Sequence, residues 1–232
     1  MFTKIKKIVL GITVIIFIYS LLVINKKEDK LILLLGDNNG VKMYLEDYLQ
    51  DYKINDSLTL NSMKSKELLE YVINDVFVLF ENKKETIYSL VKRSEFVVIS
   101  IGLNDLLSKI TLDKYEKKII FDLDSIELML NVLEKNLSNI IEKIVLVNKN
   151  AKIIVSGYDN PFLGLKDEEF NKIFGKLNSL MNSKVSKFNA YFIENKFEKL
   201  SCYDSEFSIY LNEDGKRKIA ENIYQKIIAI TT

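Results

Sequence analysis

A chain of 232 residues with 33 basic and 32 acidic side chains lacks the positive excess that a nucleic-acid-binding face needs, and it contains no histidine. Mechanisms that need an imidazole are excluded from the start, and the single cysteine, Cys202, rules out an intrachain disulfide. Apolar content of 48% suits a large core, and the length suits one domain of roughly 200 residues with a short extra segment.

Lys4, Lys6 and Lys7 precede an apolar run from Ile8 to Ile24. The run is about as short as a membrane span can be, since crossing the hydrocarbon takes roughly 17–25 residues. It ends in Leu22-Val23-Ile24-Asn25-Lys26, without the small-x-small site of a cleaved signal peptide and without a lipoprotein cysteine. Residues 1–30 are therefore expected to form one N-terminal transmembrane helix and a polar tether. The positive-inside rule places the N-terminus in the cytoplasm, although Lys26, Lys27 and Lys30 beyond the run pull the other way. The domain, residues 31–232, is then expected outside the cell membrane.

Leu31 to Leu35 has the continuous apolar character of a strand buried on both faces, and Gly36-Asp37-Asn38-Asn39-Gly40 stops it. Helical spacing follows over Val41 to Tyr52. A short strand is predicted over Ser57 to Leu60, and a helix over Ser65 to Ile73 that runs on irregularly through Phe80. Glu85 to Lys92 reads as a further helical piece. Phe96-Val97-Val98-Ile99 is the most strongly apolar strand, and it ends in Gly102-Leu103-Asn104-Asp105. Asp122 to about Val147 carries one apolar stripe, with Asp122 or Asp124 as cap. Lys152 to Ser156 is a strand, Glu168 to Phe188 a helix, Ala190 to Ile193 a strand and Asn212 to Ile230 a closing helix. Strands alternating with helices predict a parallel α/β sheet covered on both faces.

Ligand and catalytic groups in such sheets gather at the carboxyl ends of strands. Three loops there need one explanation: Gly36-Asp37-Asn38, Gly102-Leu103-Asn104-Asp105 and Tyr210-Leu211-Asn212-Glu213-Asp214-Gly215. Their order and spacing resemble the SGNH (GDSL) hydrolases, esterases and lipases on a flavodoxin-like three-layer sheet. The resemblance runs from about Leu31 to Ile230. Asn61-Ser62-Met63-Lys64-Ser65 looks like that family's second block. Gly157-Tyr158-Asp159-Asn160-Pro161-Phe162 is similar to a Tyr-Asn-Pro-Phe turn of secreted members.

The resemblance implies a nucleophilic serine where this chain has Asn38, a catalytic histidine where it has Tyr210, and an orienting aspartate where it has Phe207. It places the oxyanion-hole glycine on or near Ser62 and the oxyanion-hole asparagine on Asn104. Gly36, Asp37, Gly102 and Asp105 correspond to supporting loop residues. The chemistry of the substitutions is severe. An asparagine amide is neither nucleophile nor base, an unperturbed tyrosine titrates near 10, and a phenylalanine orients nothing. Losing a catalytic serine or histidine costs on the order of 10⁶ in turnover where proteases have been dissected this way. The expectation is a degenerate hydrolase, catalytically inactive, serving as a binding or scaffold module at the cell envelope. The alternative is an active ester hydrolase with a non-standard site.

Other constellations are open. Ser100 reads as a hydrogen-bonded core hydroxyl and Cys202 as a small apolar group. Asp37 and Asp105 either face each other as a carboxylate pair or each fix a loop through backbone N–H groups. A metal held by carboxylates and amides alone would have to be a hard cation, and neither a metal nor another cofactor is expected. Tyr158, Phe162, Phe207 and Tyr210 are expected at the mouth of the cleft. There they either stack on an acyl, glycan or protein ligand or plug it.

Overall fold

The computed structural model describes residues 30–37, 40–113, 115–116, 118–162, 168–197 and 210–232. The expected span Ile8 to Ile24 lies outside these residues, and among the described residues no helix is long and apolar enough to cross a membrane.

Five strands form the main sheet: β1 (Lys30–Gly36), β2 (Tyr52–Thr59), β5 (Ser94–Ser100), β8 (Lys152–Ser156) and β9 (Tyr191–Ile193). They lie in the order β2-β1-β5-β8-β9, and every neighbouring pair is parallel. This is the flavodoxin-like order, in which the chain's direction of winding reverses between β1 and β5. Alternate residues of each strand enter different cores. Leu31, Leu33, Leu35, Val97, Ile99, Ile153 and Val155 face one cluster, and Ile32, Leu34, Phe96, Val98 and Ile154 face the other. Burial on both faces is why these strands read as unbroken apolar runs.

Two helices cover one face, α1 (Lys42–Tyr48) and α7 (Glu213–Thr231), through Tyr44, Leu45, Ile219, Ile223 and Ile227. The other face is covered by α2 (Ser65–Ile73), α3 (Ile87–Arg93), α5 (Leu123–Val147) and α6 (Glu168–Lys187). In α5 the predicted stripe is buried from Ile126 to Ile144, and the Asp122 side chain accepts the backbone N–H of Ser125 as N-cap.

The structure corrects the predicted elements in five places. The first helix stops at Tyr48 rather than Tyr52, because Tyr52 already begins β2. That strand starts well before Ser57. The helix over Ser65 to Ile73 does not run on through Phe80. A hairpin follows, β3 (Phe77–Phe80) with β4 (Lys83–Thr86), turned by Glu81 and Asn82, both at positive φ as a two-residue hairpin turn requires. Glu85 belongs to that hairpin, so the next helix begins at Ile87. A second hairpin, β6 (Ile110–Asp113) with β7 (Lys118–Phe121), follows the one-turn helix α4 (Leu103–Leu107). It was not anticipated.

Candidate functional site

The site is built where β1 and β5 end side by side, at the point where the winding reverses. Gly36 has φ +110, and a Cβ there would lie 1.7 Å from the backbone oxygen of Ser100, so only glycine fits. The close approach lets the Asp37 N–H donate to the Ser100 carbonyl at 2.7 Å, while Leu60 N–H donates to the Gly36 carbonyl at 2.8 Å. The ends of β2, β1 and β5 are thereby tied together. Gly102, at φ +125, turns the chain from β5 into α4 and presents Asn104 and Asp105 to the same rim.

Asp105 is a fastening. Its Oδ2 accepts the backbone N–H of Ser65 at 2.8 Å and its Oδ1 accepts the Ser65 hydroxyl at 2.7 Å. Asn136 of α5 donates to that hydroxyl at 2.9 Å. The α4 turn, the start of α2 and the middle of α5 are locked by one buried network. Burial raises the Asp105 pKa, and the two Ser65 bonds hold the rise back.

Asp37 has a different environment. Its Oδ1 accepts the Tyr158 hydroxyl at 2.5 Å, and its Oδ2 lies 3.5 Å from Asn104 Nδ2. Burial pushes its carboxyl up to about 8, with the charge of Asp105 adding to the rise and Tyr158 opposing it. Tyr158 is raised well above 10, chiefly by its own burial and then by Asp37. It is a fixed donor. Asn178 holds the Tyr158 backbone on both sides, accepting from its N–H at 2.9 Å and donating to its carbonyl at 2.7 Å.

Asn104 is already engaged. Its Nδ2 donates to the Asn61 carbonyl at 2.9 Å and lies 3.5 Å from Asp37 Oδ2, a long contact. Ser62 is exposed beside Asn61. Tyr210, 53% exposed, precedes Asn212, which caps α7 by accepting the Gly215 N–H at 3.0 Å. The start of α7 lies over the loop after β1, since a Cβ on Gly40 would be 3.4 Å from Lys216 Cδ. Gly36, Asp37, Gly102, Asn104, Asp105 and Ser62 thus gather at one end of the sheet, with Tyr210 on the same rim. Asn38, Phe207 and Cys202 lie outside the described residues.

Two alternatives that the sequence leaves open are narrowed. Tyr158 and Phe162 do not line an open mouth: they are 8% and 3% exposed, and Phe162 packs against Phe170 at 5.8 Å between ring centres. Tyr158 serves Asp37 through its hydroxyl instead. Asp37 and Asp105 do not form a hydrogen-bonded pair either, because each carboxylate is committed to other partners. Among the described residues no group of three or more carboxylate, cysteine or histidine side chains is placed to hold a metal. Sequence reasoning missed Ser65 and the Asn61 carbonyl. Both lie in the Asn61–Ser65 block that the resemblance marks, but their bonds could not be read from it, since they act on residues 40 and 43 positions away.

The topology and the loop geometry define the α/β fold of the SGNH/GDSL esterases and lipases. No protein-family model matches the sequence, and no curated protein matches it. Solved structures do. A lipase from a goat rumen metagenome superposes with a TM-score of 0.64 at 19% identity, covering 84% of this chain and 96% of the lipase. A family 3 carbohydrate esterase from Clostridium thermocellum gives 0.58 at 18% identity, covering 87% and 96%. A protein from Parabacteroides merdae described as a GDSL-like lipase gives 0.60 at 16% identity, covering 87% and 96%. At these identities the likeness is one of fold.

Proposed function

We propose that the chain is a membrane-anchored, extracytoplasmic domain that keeps the hydrolase fold but not the hydrolase reaction. It acts as a binding or scaffold module at the cell envelope. The observation that carries this reading is the state of Asn104. An amide that would stabilise an oxyanion must have an N–H free to point at it, and here Nδ2 already donates to the Asn61 carbonyl at 2.9 Å and has a long contact with Asp37 at 3.5 Å. The sequence supports the same reading, because a chain without histidine cannot supply an imidazole base, and Asn38 offers no nucleophile. The remnant cleft is left for an acyl, glycan or protein ligand, with the membrane as partner through residues 8–24.

A second reading, an active ester hydrolase with a non-standard site, has one observation in its favour. A carboxyl held at about 8 can exchange a proton near neutral pH, which is what a general base needs. Asp37 is enclosed by Tyr158 and Asn104, however, and the described hydroxyl bonded to it is that of Tyr158, a buried phenol raised well above its usual pKa.

Reverting the three substituted positions tests the first reading. Asn38→Ser, Phe207→Asp and Tyr210→His together should create labelling by a serine-directed phosphonate and turnover of short acyl esters. Single reversions should give neither, because triad members act as a unit. A parent chain that is itself labelled would refute the proposal.

A further inference from the structure

The charges of the domain are sorted along the strand direction. The major helices run antiparallel to the sheet, so their first turns stand at the rim that carries Asp37 and Asn104. Those first turns hold Asp124 in α5, Glu168 and Glu169 in α6, and Glu213 and Asp214 in α7, against Lys66 and Lys216. The last turns point the other way and carry Lys92 and Arg93 in α3 and Lys184 and Lys187 in α6. Arg93 is paired with Glu85, and Lys184 with Glu134 near the middle of α5, so Lys92 and Lys187 are the exposed cations that remain. Each placement complements a helix dipole. Their sum gives an acidic end and a basic end to a domain whose residues 31–232 carry 27 basic and 30 acidic side chains.

The basic end is also where the chain enters. β1 begins at Lys30, only five residues beyond Asn25 and the close of the apolar run. Lys30 and Lys152 share one carboxylate, Glu95, at 3.7 and 3.9 Å, and Asp51 also acts on Lys30, so these two lysines are balanced. The positive charge at this end comes from the exposed Lys83, Lys84, Lys92 and Lys149. Lys149 is exposed in the turn before β8, and Asn148 ties that turn to the end of α3 by donating to the Val91 and Ser94 carbonyls. The β3–β4 hairpin joins this end through the Lys53–Glu81 ion pair. It exposes Phe77 and Leu79 beside Lys83 and Lys84, a mixture that suits a lipid interface. A tether of five residues spans at most about 18 Å, so this end cannot move far from any bilayer that holds the anchor.

We infer that the basic end of the domain rests on the anionic lipid surface beside its own anchor, with the Asp37–Asn104 rim facing away from the bilayer. This inference depends on the anchor proposed above. It makes the cleft a site for a ligand or partner approaching from outside rather than for a lipid drawn from the membrane.

Helix α5 supplies a ruler for the test. Leu123 and Leu146 are exposed leucines near its two ends, separated by about 35 Å along the axis. The full chain carrying Cys202→Ser, with Leu123→Cys or Leu146→Cys bearing a fluorophore, is inserted into nanodiscs of phosphatidylcholine and phosphatidylglycerol with a headgroup quencher. Quenching at position 146 should exceed that at 123 several-fold, and the contrast should shrink in high salt or in phosphatidylcholine alone. Equal quenching, or stronger quenching at 123, in a chain that co-elutes with the disc would overturn the orientation and leave the anchor standing. A chain that does not co-elute with the disc would overturn both. Lys149→Cys gives an independent second position at the basic end if either leucine variant fails to fold.

Discussion

Asp37 and Asp105 close neighbouring loops on one rim of the sheet, and burial raises the pKa of both. What differs is how each is satisfied. Asp105 accepts two short hydrogen bonds from Ser65, which is itself held by Asn136, so its charge is compensated and its job is to join three elements. Asp37 has one short bond from Tyr158 and a long contact with Asn104, which is too little to offset its burial. The fastening of the fold is complete, while Asp37, on the same rim, is left as a proton-holding acid.

The comparison breaks most completely if the loops themselves are disturbed. Gly36→Ala forces a Cβ into the Ser100 carbonyl and a side chain into a left-handed backbone. It should cost several kcal/mol and give little folded protein, read as the loss of a cooperative thermal transition. A normally folded alanine variant would show that the β1–β5 junction has slack.

Asp105→Ala should come next. It strands the Ser65 N–H and hydroxyl in the core, a loss of about 2–4 kcal/mol by urea denaturation. A change below about 0.5 kcal/mol would mean that the Asp105 network contributes no more than a surface contact.

The pH dependence of Asp37 sharpens the contrast. Its folded pKa is above its unfolded one, so the native state binds the extra proton. The associated stability is fully present below about pH 4 and declines as pH rises through 8. The slope is at most about 1.4 kcal/mol per pH unit. Asp37→Asn should flatten the decline between pH 5 and 8, as measured by urea denaturation at each pH. An unchanged decline in that variant would place the titrating group elsewhere.

Tyr158→Phe should have the smallest effect, about 1 kcal/mol in stability. It should also raise the Asp37 titration midpoint further, because the donor that opposes the rise is gone. A lowered midpoint, followed by carbon-13 chemical shift of the carboxyl, would contradict the bond.

Much of the scaffold was legible before any coordinates. β1, β5 and β8 announced themselves because both their faces are buried. α5 did so because twenty-five residues hold one stripe behind an Asp122 cap. What was missed follows from the same physics. β2 is an edge strand with a mixed pattern, Tyr-Lys-Ile-Asn-Asp-Ser, and its first half gave no clean period. The two hairpins have strands of four residues each, and the first turns on Glu81 and Asn82 without glycine. At the site, the loops carrying Gly36, Asp37, Asn104 and Asp105 could be found from strand ends. The role of Tyr158 could not, since it reaches a carboxylate 121 positions away. Its aromatic ring suggested stacking, and its hydroxyl decided otherwise.

The central claim is that the fold has outlived its reaction, and the most direct test is turnover of short acyl esters by the unmodified full chain. The expected result is hydrolysis indistinguishable from buffer, unchanged by Asn104→Ala. Hydrolysis well above buffer that falls sharply in Asn104→Ala or Asp37→Asn would contradict the account and establish a working site around those residues.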